Sequence, residues 1–358
     1  MIRIEDGWSD AEAWDAFVRA HPQSRYCQLF GYGRVVASYG YKPRYLAFLR
    51  NQELVGVLPA AEVSSVLYRR RLVSQPFSEY GGLLLHPGLS DDEVQTAFDA
   101  LRGHLGGQSR ASSLELHGNH GAHLAPDSPS VRTEAVGYIA YMELTSDTDT
   151  LWRDVVRYSV RKAVKQAQNY GVTISFACDQ TILEREFFPL YLKSMKRLGV
   201  PPHKFAYYGL SLREFGSDMM LAMARAADGS PIAGLLGFTC GSRVNIINTV
   251  SDPEYWNLKA NDLLHWEAIK RTAEAGHRFF DFGSVRYEGQ STYKKKWGTV
   301  LADHHNYLLA STKQHGERQV VINSSSDSMK RMSRLWSAYM PDRIGQHIGP
   351  LIRGQLAR

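Results

Sequence analysis

Residues 279–298 read FFDFGSVRYEGQSTYKKKWG. A short apolar run from Phe279 to Phe282 stops at Gly283, a polar loop follows, and three consecutive lysines, Lys294 to Lys296, run into Trp297 and Gly298. Burying even one ammonium is costly, so three beside aromatic residues call for a reason. A plain reason is a solvated face, with lysine stems laid over apolar surface. The residues upstream argue for more. PIAGLLGFTC (231–240) and RVNIINTV (243–250) read as neighbouring strands, residues 260–275 as a helix stopped by Gly276, and HRFFDF (277–282) as a third strand. That order builds a sheet covered by a helix, so the fold class is α/β, of the α+β kind.

Bulk properties bound the rest. A chain of 358 residues accommodates two domains, and 44% hydrophobic with 22% charged residues describes a soluble globular protein with a substantial core. The opening MIRIEDGWSD has no leader pattern, and no apolar run approaches the ~20 residues that cross a bilayer. A cytoplasmic protein is the expectation. Cys27, Cys178 and Cys240 lie far apart and form no metal-type spacing, so neither a metal site nor a disulfide is expected. Of the net charge of +6, residues 312–358 hold eight Lys or Arg against three Asp or Glu, which leaves only +1 for residues 1–311. Such a surplus suits RNA, a membrane surface or a phosphorylated substrate alike.

From the N-terminus, an amphipathic helix is expected over 9–20, capped by Ser9 or Asp10, and a second over 28–39. YLAFLR and ELVGVLPAAEV form a hairpin about Asn51-Gln52. A helix over 91–105 and a strand at SLELHG complete the first domain, 118–130 reads as surface loop, and YIAYMELT (138–145) is a strand that ends at a polar junction. In the helix expected next, Arg153, Arg157, Arg161 and Lys165 recur at four-residue intervals. Like charges at that spacing repel by about 0.2–0.5 kcal/mol per pair, which points to an external anion.

These segments resemble the FemABX-like acyltransferases, the peptidoglycan-bridge aminoacyltransferases and the FemAB-like proteins of exopolysaccharide clusters, from about residue 25 to 310. The resemblance rests on Asp281-Phe282-Gly283 followed by Tyr293-Lys294-Lys295-Lys296-Trp297-Gly298, on Pro76-Phe77-Ser78-Glu79-Tyr80-Gly81-Gly82, on VRKAVKQAQNYGVTI (160–174), and on Met195 to His203. It implies two tandem GNAT-like domains with mixed central sheets flanked by helices: 1–145, a catalytic 146–311, and a basic amphipathic tail, 312–358. The tail has two readings, packing back on the first domain or contact with a membrane surface through 326–358.

The same resemblance implies an enzyme that forms an amide by transferring an activated acyl or aminoacyl group to an amine of a cell-envelope or polysaccharide precursor. Lys294, with Lys295 as its rival, is the expected oxyanion donor, oriented by Tyr293 and Trp297, with Asp281 or a substrate group taking the proton. Glu79 and Tyr80 present a carboxylate and a phenol where a glycine pair lets the backbone approach a ligand. Arg161 and Lys162 are expected on phosphate, and Arg197, His203, Lys204 and Tyr207 along an acceptor pocket. Asn261 begins a helix as a cap or a substrate contact. No cofactor is expected to be tightly bound.

The donor is read as aminoacyl-tRNA or an acyl thioester such as acyl-CoA, the acceptor as phosphorylated or lipid-linked. Residues 257–262, NLKAND, lack the glycines by which this fold usually takes the pyrophosphate of coenzyme A, and Asp262 adds negative charge there. The alternatives are an acyl-CoA-dependent acetyltransferase acting on a small metabolite and a non-catalytic module that binds nucleic acid or membrane.

Overall fold

The computed structural model describes residues 2–65, 68–107, 113–118, 131–310 and 327–356. Its contacts divide the chain into two compact units: Met1–Ile139 with Ala302–Val320 and Gln355–Arg358, and Ala140–Leu301 with Val321–Gly354.

In the first unit, β1 (Ile2–Asp6), α1 (Ala11–Ala20), α2 (Phe30–Ala37), β2 (Lys42–Arg50), β3 (Glu53–Ser65), β4 (Tyr68–Val73), β5 (Leu84–Leu85), α3 (Asp91–Gly107) and β6 (Ser113–His117) follow in order. Asp10 caps α1 by accepting from the Ala13 N–H at 2.9 Å. Asn51 and Gln52 both take positive φ, the backbone a tight two-residue hairpin needs, and β2 pairs antiparallel with β3 around them. The sheet order is β1-β2-β3-β4-β6, with β5 beside β3. Strand β4 runs parallel to β6 over only two pairs, Leu72↔Leu114 and Val73↔Glu115. Leucines from both sides of the helix–sheet interface, among them Leu58, Leu72, Leu101, Leu114 and Leu116, form the core. The predicted 118–130 loop lies, but for Gly118, outside the described residues.

A long strand, β7 (Val131–Glu143), leads into the second unit, where α4 (Thr148–Thr150), α5 (Tyr158–Asn169), β8 (Thr173–Phe176), α6 (Gln180–Ile182), α7 (Phe188–Leu198), α8 (Phe205–Phe215), β9 (Met219–Arg225), β10 (Pro231–Cys240), β11 (Arg243–Ser251), α9 (Ala260–Glu274), β12 (Phe279–Val285) and α10 (Glu288–Lys295) follow. The sheet order is β12-β11-β10-β9-β8. Hairpin, helix and parallel strand thus recur in each unit: β3, β4, α3, β6 in the first, and β10, β11, α9, β12 in the second.

Two expectations need correction. Strand β13 (Val300–Ala310) leaves the catalytic segment: from Ala302 it belongs to the first unit, where Asn306 to Ala310 pair antiparallel with His117 to Ser113. Of the tail, α11 (Asp327–Tyr339) and α12 (Asp342–Leu356) are described, and as far as Gly354 they group with the second unit. There Ser333 Oγ donates to the Gly199 carbonyl at 2.8 Å, and Arg353 Nη1 to the Pro201 carbonyl at 2.7 Å. No helix among the described residues is long and apolar enough to cross a membrane.

Candidate active site

The site begins where two parallel strands part. β11 and β12 pair only as Arg243↔Phe279, Val244↔Phe280 and Asn245↔Asp281, after which β11 runs on to Ser251 and β12 to Val285 without each other. On its other edge β11 carries one extra residue, Ile247, since Leu236 faces Asn248 while Gly237 faces Ile246. Such a bulge bends a strand and re-aims its side chains. Asp281 is fully buried at the parting point: it accepts from Asn245 Nδ2 at 3.1 Å and from the Gly283 N–H at 2.8 Å, and Arg243 Nη1 lies 3.6 Å away. It ties the strands together before they separate.

A strand that loses its neighbour leaves carbonyls to be satisfied. Lys294 satisfies them. Helix α10 brings its ammonium back over the end of β12, where Nζ donates to Phe282 O at 2.6 Å, Gly283 O at 3.0 Å and Ser284 O at 2.7 Å. These three carbonyls match the three hydrogens of an ammonium. Lys295 is exposed. The Lys296 carbonyl accepts from the Arg157 N–H at 3.0 Å, and Gly298, at φ +76°, passes so close to Val155 that an added Cβ would lie 2.8 Å from its carbonyl oxygen.

Beside Lys294 lies a buried aromatic group. The His265 ring, from α9, stacks on Phe282 with centroids 5.5 Å apart, and Tyr293 and Trp297 stand at 5.8 and 5.7 Å. His265 Nδ1 lies 2.8 Å from the Asn261 carbonyl, which only accepts, so the ring hydrogen sits there. Nε2 then offers its lone pair towards the exposed Thr249 hydroxyl, 3.4 Å away on β11. Tyr293 OH is 3.3 Å from Nδ1. Burial pulls the His265 pKa down to about 4, helped by the Lys294 charge. One helical turn earlier, burial pushes Asp262 up to about 6 against the pull of Lys296 and Lys259. Burial also raises the Tyr293 phenol, and the Asp262 charge adds to that.

The sequence-predicted residues fall into separate places. Tyr293 and Trp297 stand around His265 next to Lys294, whose three hydrogens go to backbone carbonyls and leave none to donate to an oxyanion. Asp281 does not join them: side chains alternate along a strand, and Phe282 is the one that faces His265. Arg161 is turned inward. Its Nη1 donates to Trp152 O at 3.1 Å, Arg153 O at 2.8 Å and Val156 O at 2.5 Å, the open carbonyls of the turn before α5, while Lys162 is exposed. The chain is extended at Val156, so Arg153 does not share a helix with Arg157, Arg161 and Lys165.

The expected acceptor group also divides. Arg197 lies over the Trp256 ring at 5.0 Å. His203 stacks on Tyr207 at 4.0 Å, its N–H donates to Tyr191 OH at 2.7 Å, and burial drives its pKa well below the usual value, with the Arg353 charge adding to the effect. Lys204 precedes α8 with its pKa lowered by burial. Asn261 is no cap: Lys259, at φ 58°, holds the N-cap position of α9 without a side-chain cap bond, and the Asn261 amide donates to Ser251 Oγ at 3.2 Å. In the first unit Tyr80 is buried under the Arg25 guanidinium, 4.9 Å away, in a loop where Gln75, Phe77 and Gly81 all take positive φ, and Glu79 is half-buried. His265, Thr249 and Asp262 in its polar, ionised role were not among the expected site residues. The available signal was spacing, since His265 falls three and four residues after Asp262 and Asn261, on one helix face.

The two buried histidines set an acid limit on stability. Unfolded, each takes a proton near pH 6.5; folded, neither does until far lower, so their stability is complete above about 6.5 and is lost as pH falls. At pH 5 the cost is about 2 kcal/mol for a group like His265. Asp262 works the other way between 3.8 and about 6, but one carboxyl offsets two imidazoles only in part. Thermal melts should therefore drop from pH 7.5 to 5, and His265→Gln should flatten the slope. A flat profile for the unsubstituted chain would show that these rings are not held neutral.

Residues 155–295 match the family model of an acetyltransferase (GNAT) domain. No curated protein matches the chain. Among solved structures, FemX has a TM-score of 0.68 at 16% identity, over 86% of this chain and 98% of its own. L-PGS from Bacillus licheniformis gives 0.54 at 14%, over 85% and 92%. A tandem GNAT protein from the clavulanic acid biosynthesis pathway gives 0.52 at 12%, over 88% and 100%. Identities this low carry the fold, tandem GNAT-like domains with mixed sheets flanked by helices, and not the substrates. The sequence match, however, spans the parting strands, Asp262, His265 and Lys294. By that match the second unit carries an acetyltransferase (GNAT) domain, which makes the chain an acyltransferase, and by its fold the chain is similar to FemX.

Proposed function

We propose that the second unit forms an amide between an activated acyl or aminoacyl group and an amine of a cell-envelope or polysaccharide precursor, the cell-wall or exopolysaccharide chemistry of its resemblance. The observation that carries this reading is the grouping of half-buried Asp262 and Tyr293 with the buried His265 beside the gap between β11 and β12. The amine nitrogen attacks the acyl carbon, the new C–N bond forms, and the C–O bond of an ester or the C–S bond of a thioester breaks. The amine gives up one proton and the departing oxygen or sulfur takes one. Asp262, ionised above about pH 6, suits the first transfer. Neutral His265 lies against Tyr293 and presents Nε2 at Thr249. Lys294 fixes the end of β12, and its charge favours an oxyanion forming beside it.

An aminoacyl ester of tRNA is the favoured donor. A carboxylate in the first turn of α9 repels the pyrophosphate of coenzyme A, while Arg153, Arg157, Lys162 and Lys165 are exposed for a phosphate backbone. Phosphorylated or lipid-linked acceptors fit the same basic face. A second reading, acetyl transfer from acetyl-CoA to a small amine, draws on the acetyltransferase match itself. Incubating the chain with charged tRNA or acetyl-CoA, each with nucleotide-linked and lipid-linked amine acceptors, and weighing the products separates them. An amide formed only from charged tRNA is expected. Product only from acetyl-CoA installs the second reading, and no amide with any pair sinks both.

A further inference from the structure

The C-terminal helices point their apolar residues outward. α11 meets the second unit through serines: Ser333 Oγ donates to Gly199 O at 2.8 Å and Leu198 O at 3.3 Å, and Ser337 Oγ to Arg197 O at 3.3 Å, filling carbonyls left open at the end of α7. α12 meets it through Gly349, where an added Cβ would lie 2.3 Å from Pro202 Cδ, and through Arg353 on the Pro201 carbonyl. With small and polar groups inward, the apolar ones are left outside. Met332, Leu335 and Tyr339 line the outer face of α11 and Ile344, Ile348 and Leu351 that of α12, with Tyr339 79% and Leu351 71% exposed. An amphipathic helix that packs only against its own protein has the opposite polarity.

Charge indicates what covers this face. Residues 327–356 hold five basic residues, Lys330, Arg331, Arg334, Arg343 and Arg353, against Asp327 and Asp342, so they carry +3, and Arg331 and Arg334 are exposed beside the apolar stripe. We propose that α11 and α12 dock the protein on an anionic lipid surface. The six apolar side chains enter the boundary between headgroups and acyl chains while the arginines stay among the phosphates. A second copy of the chain fits less well, because a two-fold interface sets the patch against itself and brings +3 against +3. This inference stands apart from the transferase reading, since none of these residues has a part in the chemistry.

The test is sedimentation of the full chain with vesicles of phosphatidylcholine alone or with about 30% phosphatidylglycerol. Binding to the anionic vesicles only, weakened at high salt, is expected. The exposed triple substitution Leu335→Ser, Tyr339→Ser and Leu351→Ser should cut the bound fraction about tenfold, and so should Arg331→Glu with Arg334→Glu, both with unchanged melting temperature. A full chain that stays in the supernatant with anionic vesicles overturns the proposal. So does a concentration-dependent dimer that the serine substitutions abolish, which would make a second copy the cover.

Discussion

Lys294→Met is expected to lower turnover by about 100-fold or more and to lower the melting temperature as well. Both losses come from one geometry. Three carbonyls converge on the ammonium, and methionine, of similar length, offers them no donor. Each carbonyl left dry costs about 1–3 kcal/mol, and water entering the half-buried position recovers part of that. Lys294→Arg is expected to rescue stability more than turnover, because a flat guanidinium reaches fewer of three converging oxygens and spreads its charge differently. Lys295 is exposed, so Lys295→Met should leave stability within about 0.5 kcal/mol. Its turnover should be nearly unchanged, which separates the two rival lysines. Assays well below the melting temperature of each variant distinguish chemistry from unfolding. If Lys294→Met is fully active there, the lysine is a structural clamp and nothing more.

What the sequence disclosed, and what it hid, follows from which forces act locally. Strands β10, β11 and β12 were legible because their apolar runs are long and end at glycine or polar turns. Strand β9, MMLAMAR, is rich in residues with weak strand preference and is a strand because β8 and β10 lie on either side of it. In β13 the polar middle, Asp303 to Asn306, hides a strand that pairing with β6 stabilises. Helix α10, EGQSTYKK, read as loop: Gly289, Ser291 and Thr292 are poor helix formers, and the segment has no apolar stripe of its own. It is held by Tyr293 in the aromatic group and Lys294 on the carbonyls.

The candidate site was half visible for the same reason. The triple lysine and Trp297 are local words, and they proved to lie at the parting strands. Spacing says which residues share a helix face, not where a turn ends. The four-residue series from Arg153 therefore concealed both the break at Val156 and the use of Arg161 to fill the carbonyls before it. His265 gains its meaning only when β12 swings Phe282 onto its ring, a contact across 17 residues of sequence that no short pattern contains.

Asp262→Asn is expected to separate activity from stability, which move together in most damaging substitutions. Burial holds the Asp262 carboxyl at about pKa 6, well above its unfolded value of 3.8, so the folded chain at neutral pH carries a charge it disfavours. The linkage has one sign. Stability contributed by the protonated form is present below 3.8 and is lost as pH rises towards 6, so the ionised group is a burden above that. Allowing for its partial exposure, that burden is about 1–2 kcal/mol. Asparagine has the same shape and no charge, and should raise the melting temperature at pH 7.5 while making no difference near pH 4. Turnover should move the other way, falling by about 100-fold or more if Asp262 takes the amine proton, and the rise in rate of the parent enzyme through about pH 6 should vanish. A variant that gains stability and keeps its rate and its pH profile would assign the raised pKa to burial alone and leave the proton to the substrate. A variant that loses both would mean that Asp262 is held by the charges of Lys259 and Lys296 more firmly than burial opposes it. Only the crossed result, a tighter fold with a slower enzyme, marks a carboxylate half-buried for the sake of a proton.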